Sequence, residues 1–244
     1  MSGLKRLYNI LRYGVGSGAR ERKKAAKLKA HAARFASDDW RRGEDFAQRR
    51  YQSYEEYLAH QASKLDRIEG RLRETEAENY AAFKRRFQSC RPLEGARSVL
   101  CLGARLGTEV RALHELGYFA VGIDLNPGEN NPYVLPGDFH QVVFPDNSID
   151  AIYCNALDHV FDLEKVVGEI VRLLRKDGIL IVDLMPGYEE GYVAKDYESM
   201  HWKKAEDLLG EIDRIGGLVP LETGRIKGKH RLDEWYEAVL RKPA

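Results

Sequence analysis

The sequence SVLCLGARLGTEVRALHELGYFAVGID, residues 98–124, decides the fold. Its apolar run 98–102 ends at Gly103, residues 108–116 have a helical pattern, and a second apolar run ends at Asp124. A strand, a glycine-containing turn, a helix and a second strand predict a βαβ unit with parallel strands. Ligands of such sheets bind beyond the carboxyl ends of the strands, so the residues that follow the two runs are candidate site residues.

The same alternation of apolar runs and helical stretches continues downstream. It predicts strands over 149–155 and 179–184, helices over 162–175 and 203–215, and short closing strands near 218 and over 235–240. Only eight residues separate Asp124 from Tyr133, whereas a helical crossover needs about a dozen. The predicted fold class is α/β, with a mostly parallel sheet covered by helices on both faces and one crossover helix missing.

The charge is divided unevenly along the chain. Residues 1–90 contain 21 Lys and Arg against 12 Asp and Glu, and residues 91–244 contain 18 against 26. Ten of the basic residues precede residue 37, where Glu21 is the one acidic residue. We interpret residues 1–36 as a basic helical arm, either simply solvated or in contact with an anionic membrane surface or a nucleic acid.

Residues 37–91 are predicted to be an α-helical region, and residues 92–244 the α/β domain. Apolar positions from Tyr54 to Phe87 recur at steps of three and four, with a gap around Thr75, which predicts one long amphipathic helix. This helix either pairs with a second copy, giving a homodimer, or folds back on the α/β domain.

The composition excludes several classes of protein. No run of eighteen apolar residues is present, and the N-terminus has no apolar signal segment. The three cysteines are far apart and form no CxxC pair, which predicts reduced thiols, no metal site and a cytoplasmic protein, peripheral at the membrane if the arm binds there.

The phrase FPDNSIDAIYCNALDHVFDLEKVVGEIVRLLRKDGILIV, residues 144–182, carries a specific resemblance. Together with 99–110, 121–127 and 136–140, it resembles the type 11 subfamily of class I S-adenosylmethionine-dependent methyltransferases. The resemblance implies a Rossmann-like, seven-stranded, mostly parallel sheet that binds S-adenosyl-L-methionine. It covers about residues 97–185 and implies nothing about residues 1–90.

The resemblance also implies roles for individual residues. It implies that Gly103 and Gly107 pass under the methionine part of the cofactor, and that Asp124 and Leu125, at the end of the second strand, hold the ribose. It further implies that Asp138 and Phe139 border the adenine and that Asn155 lies beside the sulfonium.

Two departures from the family pattern stand near this site. Cys101 replaces the usual acidic residue, and Arg105 replaces a third glycine. An arginine that faces a sulfonium is repulsive, so Arg105 is expected either to point to solvent or to bind the cofactor carboxylate. Glu109 is the candidate that takes over binding of the cofactor's amino group.

Methyl transfer needs mainly an in-line arrangement of nucleophile and methyl group, and an oxygen nucleophile also benefits from a base. The predicted catalytic residues are Asn155, Asp158 and His159, with His140 and Asp183 as further candidates. Histidine exchanges a proton near neutral pH without a large pKa shift. The alternative is that His159 is a packing residue.

We predict O-methylation of a small molecule or a glycan. An RNA methyltransferase and a non-catalytic S-adenosylmethionine-binding scaffold are the alternatives. Residues 155–158, Asn-Ala-Leu-Asp, lack the aromatic side chain that holds a flipped base, which argues against base modification.

Overall fold

The structure, a computed structural model, describes residues 39–227 and 234–244, together with residues 22, 25, 26, 29 and 33. The predicted basic arm, 1–36, therefore lies almost entirely outside the described residues. The described strands are β1 (Trp40–Arg42), β2 (Phe46–Arg49), β3 (Ser98–Leu102), β4 (Phe119–Asp124), β5 (Val134–Pro136), β6 (Ile149–Cys154), β7 (Leu174–Leu184), β8 (Met200–Trp202), β9 (Val219–Lys227) and β10 (Glu234–Arg241). The described helices of eight residues or more are α1 (Tyr54–Ala62), α2 (Lys64–Glu74), α3 (Glu76–Ser89), α4 (Thr108–Glu115), α5 (Leu163–Leu173) and α6 (Ala205–Gly216).

Seven strands form the main sheet, in the order β5-β4-β3-β6-β7-β10-β9. Strands β5, β4, β3, β6 and β7 are parallel, and β10 pairs antiparallel with both β7 and β9. The predicted seven-stranded, mostly parallel sheet is confirmed. The strand order reverses between β3 and β6, and a doubly wound sheet binds its ligand at such a reversal.

Strand β3 shows how the sheet is covered on both faces. Leu100 and Leu102 belong to a buried cluster that includes side chains of α5 and α6, whereas Val99 and Cys101 belong to a second cluster with side chains of α3 and α4. Successive side chains of a strand point to opposite faces, so one apolar run serves both layers. Cys101 lies in this second cluster and is fully buried.

The crossover from β4 to β5 has no helix, as the spacing predicts. Strand β5 pairs directly with β4, and the intervening residues 125–133 contain turns only. The loop is held by local side-chain hydrogen bonds, such as that from Asn131 Nδ2 to the Pro127 carbonyl at 2.8 Å.

Two expectations for the N-terminal region are wrong. The region is not wholly helical, because β1 and β2 form a hairpin that pairs with β8 in a separate three-stranded sheet. The predicted single helix is three helices, with breaks at Ser63 and Thr75. The Thr75 hydroxyl donates to the Arg71 carbonyl at 3.0 Å, and such side-chain bonds to the preceding turn favour a bend or an end.

Helix α3 folds back on the α/β domain, as one of the two alternatives predicts. The ring centroids of Phe83 and Phe87 lie 5.8 and 5.3 Å from that of Tyr153 on β6, both in edge-to-face geometry. Aromatic pairs of this geometry add about 0.5–1.5 kcal/mol beyond area burial. Homodimer formation stays a prediction. No helix among the described residues is long and apolar enough to cross a membrane.

Candidate active site

A cleft opens beyond the carboxyl ends of β3, β4 and β6, where the strand order reverses. Its inner compartment has about 480 Å³ of empty space, open solvent included, and is lined from the sheet side by Gly103, Asp124, Leu125, Asn126, Phe139 and Ala156. The opposite wall comes from α1 and α2, through Tyr57, Gln61, Ala62, Lys64 and Leu65. We call these two helices the helical wall.

A larger outer compartment adjoins the inner one. It has about 1,370 Å³ of empty space, including its open mouth, and its lining includes Phe83, Glu109, Asn155, Asp158, Tyr197 and Trp235. The two compartments share Lys64, Gly103, Arg105 and His159. We call the position of these four residues the throat.

The two predicted glycines have different environments. Gly103 has φ +71°, and a Cβ placed on it would lie 2.6 Å from the Cβ of Ala156. Gly107 has φ +75° and precedes α4, where a Cβ would meet Tyr133 and Val134. Gly103 therefore keeps the cleft floor open beside β6, whereas Gly107 permits close packing of the turn against the β5 strand.

Asp124 ends β4 at the inner compartment. One carboxylate oxygen accepts from the Arg105 backbone N–H, and the other accepts from the Asn126 N–H, both at 2.9 Å. A carboxylate offers about four acceptor sites, so each oxygen keeps one for a ligand. Burial raises the pKa of Asp124 above its ordinary value, and the two backbone hydrogen bonds oppose that rise.

Phe139 lines the inner compartment, but the Asp138 carboxylate beside it is already engaged. Asp138 accepts from the His140 N–H at 2.9 Å, from His140 Nδ1 at 2.8 Å and from the Tyr54 hydroxyl. Burial raises the pKa of Asp138, but the hydrogen bonds from His140 and Tyr54 outweigh it and lower the pKa. In this arrangement Asp138 ties α1 to the sheet, and its predicted contact with adenine stays a prediction.

Neither His140 nor Asp183 reaches the cleft with a free polar atom. His140 Nε2 accepts from the N–H groups of Phe161 and Asp162 at 3.1 and 3.2 Å. Asp183 accepts from the Tyr153 hydroxyl at 2.6 Å and from the Arg86 guanidinium at 2.8 Å. Both residues therefore hold the structure around the cleft together.

Arg105 turns towards the cleft and not away from it. The Arg105 backbone has φ +47°, and the residue lines both compartments. Its positive charge acts to lower the pKa values of Asp124 and Asp158. Among the described residues, no carboxylate lies within ion-pair distance of its guanidinium. This orientation differs from the expectation that Arg105 points to solvent, and its binding of the cofactor carboxylate stays a prediction.

Glu109 is buried at the start of α4 and borders the outer compartment. Burial raises its pKa to about 8, and its charge also acts on Cys101. The carboxyl group therefore lies near the position where the family usually has an acidic residue. Its binding of the cofactor's amino group stays a prediction.

His159 is held on both ring nitrogens. Nδ1 lies 2.8 Å from the Tyr197 carbonyl, so Nδ1 carries the proton, and Nε2 contacts the Lys64 ammonium nitrogen. Burial, followed by the charge of Lys64, lowers the pKa of His159 well below its ordinary value. Contrary to the sequence-based argument, His159 does not titrate near neutral pH, which favours the packing alternative over a role as base. Asp158, another predicted catalytic residue, has a carboxylate oxygen 3.3 Å from His159 Nε2.

Two residues at this cleft were not predicted from the sequence. Tyr57 is fully buried, and its hydroxyl has no hydrogen-bond partner among the described residues, although it lines the inner compartment. Lys64 occupies the throat. Burial lowers its pKa to about 7. The recurrence of tyrosine at every third position, 51, 54 and 57, was the available signal for Tyr57, and none was available for Lys64.

Comparison with known proteins agrees with this geometry. Residues 100–182, from β3 to β7, match the family model described as "Methyltransferase domain". The chain carries a methyltransferase domain. Asp124, Phe139 and Asn155 all lie within the matched range, whereas the helical wall lies outside it.

Individual relatives match this domain over different lengths. The chain is 52% identical over 46 residues, 18% of its length, to a sterol 24-C-methyltransferase of Aspergillus fumigatus. It is 25% identical over 154 residues, 60% of its length, to an uncharacterised methyltransferase of Mycobacterium bovis. These matches span 12% and 56% of the respective relatives, less than two thirds of either.

A solved structure shares the fold of the methyltransferase domain. The 1,6-didemethyltoxoflavin-N1-methyltransferase of Burkholderia thailandensis, solved with 1,6-didemethyltoxoflavin and S-adenosylhomocysteine, superposes with a TM-score of 0.65. The two chains are 17% identical, and the superposition covers 84% of this chain and 100% of that one.

Proposed function

We propose that this protein transfers a methyl group from S-adenosylmethionine to a hydroxyl group of a small molecule or a glycan. The observation that carries the proposal is the inner compartment, in which the family's Gly103, Asp124 and Phe139 meet a buried Tyr57 hydroxyl that lacks a partner. A buried polar group without a hydrogen bond costs about 1–3 kcal/mol. A ligand with polar atoms at this position would remove that cost.

The residues present fit S-adenosylmethionine. The free acceptor sites of Asp124 suit a ribose diol, and the Phe139 ring offers an apolar face to adenine. In the outer compartment, Glu109 suits the amino group of the methionine part, and Arg105 suits its carboxylate. Bound there, the cofactor supplies an electrophilic methyl group, and the chain's own residues hold it and the acceptor in line.

The outer compartment supports a small acceptor. Its aromatic side chains include Phe83, Tyr192, Tyr197 and Trp235, and charged groups lie among them. Aromatic faces with a few polar groups are typical of sites for small organic molecules. Residues 91–244 have a net negative charge, so an RNA acceptor would depend on the basic residues of 1–90 to neutralise its phosphates.

Titration calorimetry with S-adenosylmethionine and S-adenosylhomocysteine tests the first half of the proposal. Mass spectrometry of hydroxylated small molecules, glycans and RNA after incubation tests the second. Binding without a mass increase of one methyl group on any acceptor would favour the scaffold alternative, and transfer to RNA alone would replace the hydroxyl acceptor. No binding of either ligand would overturn the proposal.

Replacing Tyr57 by phenylalanine is expected to weaken S-adenosylhomocysteine binding about 3- to 10-fold, because one hydrogen bond is worth about 0.5–1.5 kcal/mol. The ligand-free variant should be at least as stable as the wild type, since the replacement removes a buried hydroxyl without a partner. Tyr51→Phe is the matched control. Its hydroxyl bonds Ser199 at 2.8 Å and lies outside the cleft, so this variant should lose stability and keep its affinity. Calorimetry and thermal unfolding of both variants give the comparison.

A further inference from the structure

The break between α1 and α2 places Lys64 in the throat of the cleft. Ser63 ends the first helix, and Lys64 begins the second. The Lys64 side chain lines both compartments, contacts His159 Nε2 and lies 5.7 Å from the centroid of the Tyr197 ring. In the arrangement proposed above, the nucleoside lies in the inner compartment and the methionine part in the outer one, so the sulfonium that joins them lies at this shared position.

The contact with His159 orients the Lys64 amine. Because His159 Nδ1 donates to the Tyr197 carbonyl, Nε2 is an acceptor and receives an N–H from Lys64. An uncharged amine has two N–H groups and one lone pair. With one N–H directed at His159, the lone pair is left for a proton from the compartment. His159 is thus a positioning residue for Lys64.

The charged groups around Lys64 oppose one another. Arg105 repels an ammonium there, whereas Asp124, Asp158 and Glu198 attract it. The charge of Lys64 also lowers the pKa of His60, on the helix that precedes the break. Burial has the largest effect and lowers the pKa of Lys64 to about 7, so both charge states are accessible at neutral pH. A cation in the inner compartment adds to the repulsion by Arg105.

Resting on the proposed function, we propose that Lys64 is the proton acceptor in methyl transfer and that it is uncharged whenever a sulfonium occupies the cleft. The acceptor's O–H bond breaks, and its proton goes to the Lys64 nitrogen. The acceptor oxygen forms a bond to the methyl carbon, and the electron pair of the broken carbon–sulfur bond stays on sulfur. One positive charge passes from sulfonium to ammonium, so the charge of the site is unchanged.

The two ligands test this without an acceptor, because S-adenosylmethionine carries the sulfonium charge and S-adenosylhomocysteine does not. Below the pKa of Lys64, the protein must release a proton from Lys64 before it binds the sulfonium. We therefore expect Lys64 to raise the ratio of the two dissociation constants, S-adenosylmethionine over S-adenosylhomocysteine, about tenfold for each pH unit below 7. Glu109 and Asp158 add a pH dependence of their own, because burial raises their pKa values to about 8 and about 7 and each attracts the sulfonium once it is ionised. Above pH 8 the contribution of Lys64 should vanish.

Two substitutions of Lys64 locate the effect. In Lys64→Met the ratio should rise less steeply at low pH than in the wild type, because only the carboxyl groups of Glu109 and Asp158 still titrate there. In Lys64→Arg the side chain is always charged, so binding of the sulfonium ligand alone should be weakened about tenfold or more, even at pH 8. Asp158→Asn, the control, should keep the pH dependence and move it to lower pH, since the attraction of Asp158 for an ammonium is lost.

A constant ratio in the wild type, or a pH dependence in Lys64→Met as steep as that of the wild type, would overturn the assignment. If Lys64→Met fails to fold by circular dichroism, equal binding of both ligands by Lys64→Arg at pH 8 would overturn it instead. Absence of binding of either ligand to the wild type would overturn the proposed function itself, which separates the two failures.

Discussion

We expect the Arg86→Met variant to lose about 3–5 kcal/mol of unfolding free energy, the cost of leaving one partner of a buried ion pair alone. The Arg86 guanidinium on α3 bonds both carboxylate oxygens of Asp183 at the end of β7, and also Glu237 on β10. The Asp183 side chain is 6% exposed. Without Arg86, only the Tyr153 hydroxyl would still stabilise this buried carboxylate among the partners described.

Chemical denaturation of Arg86→Met and Arg214→Met gives the measurement. The second variant removes the same side-chain type from an exposed pair with Glu211, where Arg214 is 61% exposed, and exposed pairs contribute about 0–1 kcal/mol. Equal losses in the two variants would show that the buried network does not anchor α3.

The loss of unfolding free energy in Arg86→Met should also depend on pH. Burial raises the pKa of Asp183 in the folded protein even with Arg86 present, and it should rise further without it. A carboxyl group whose folded-state pKa is raised destabilises the fold above its unfolded-state pKa, and protonation removes that penalty. The difference in unfolding free energy between wild type and variant should therefore shrink as the pH falls from 7 towards 4.

The second large effect is expected at Asp124. Replacing it by alanine should weaken binding of both S-adenosylmethionine and S-adenosylhomocysteine by about 10- to 150-fold, because hydrogen bonds to a charged acceptor are worth about 1.5–3 kcal/mol. Calorimetry with both ligands measures the change. Equal weakening is expected, since the ribose is common to the two.

Asp150→Ala is the matched control for Asp124→Ala. Asp150 also accepts from backbone N–H groups, those of Arg97 and Ser98 at 2.9 and 3.0 Å, but it lies at the opposite end of the sheet. It should lower stability and leave both affinities unchanged. If Asp124→Ala behaves in the same way, Asp124 only holds its turn, and the ribose assignment is wrong.

The central sheet could be predicted from the sequence because its signals are local. Strand β3 was predicted at its observed bounds, 98–102, and the missing crossover helix followed from the length of the connection alone. Strands β1 and β2 were missed because three and four residues give too few alternations to separate from a helical pattern. The breaks at Ser63 and Thr75 depend on side-chain bonds to the backbone, which periodicity does not reveal.

The candidate site was predictable only on its sheet side. Gly103 and Asp124 follow strands directly, so topology alone places them at the cleft. Tyr57 and Lys64 reach the same cleft through packing between segments far apart in sequence, and Lys64 depends on the break at Ser63. The low pKa of His159 likewise results from burial and from Lys64, neither of which its sequence neighbours indicate.

The helical wall has a kinetic consequence. The residues that match the family shape the floor of the cleft, whereas Tyr57 to Leu65, which close it, belong to a segment connected to the sheet through α3. Exchange of a nucleoside through this closed side requires the wall to move, and the anchor of α3 at Asp183 limits that movement. We therefore expect the residence time of the nucleoside to depend on a segment outside the matched residues. Two chains with the same glycine turn and the same ribose carboxylate, but different walls, would share their chemistry and differ in how long they hold their ligand.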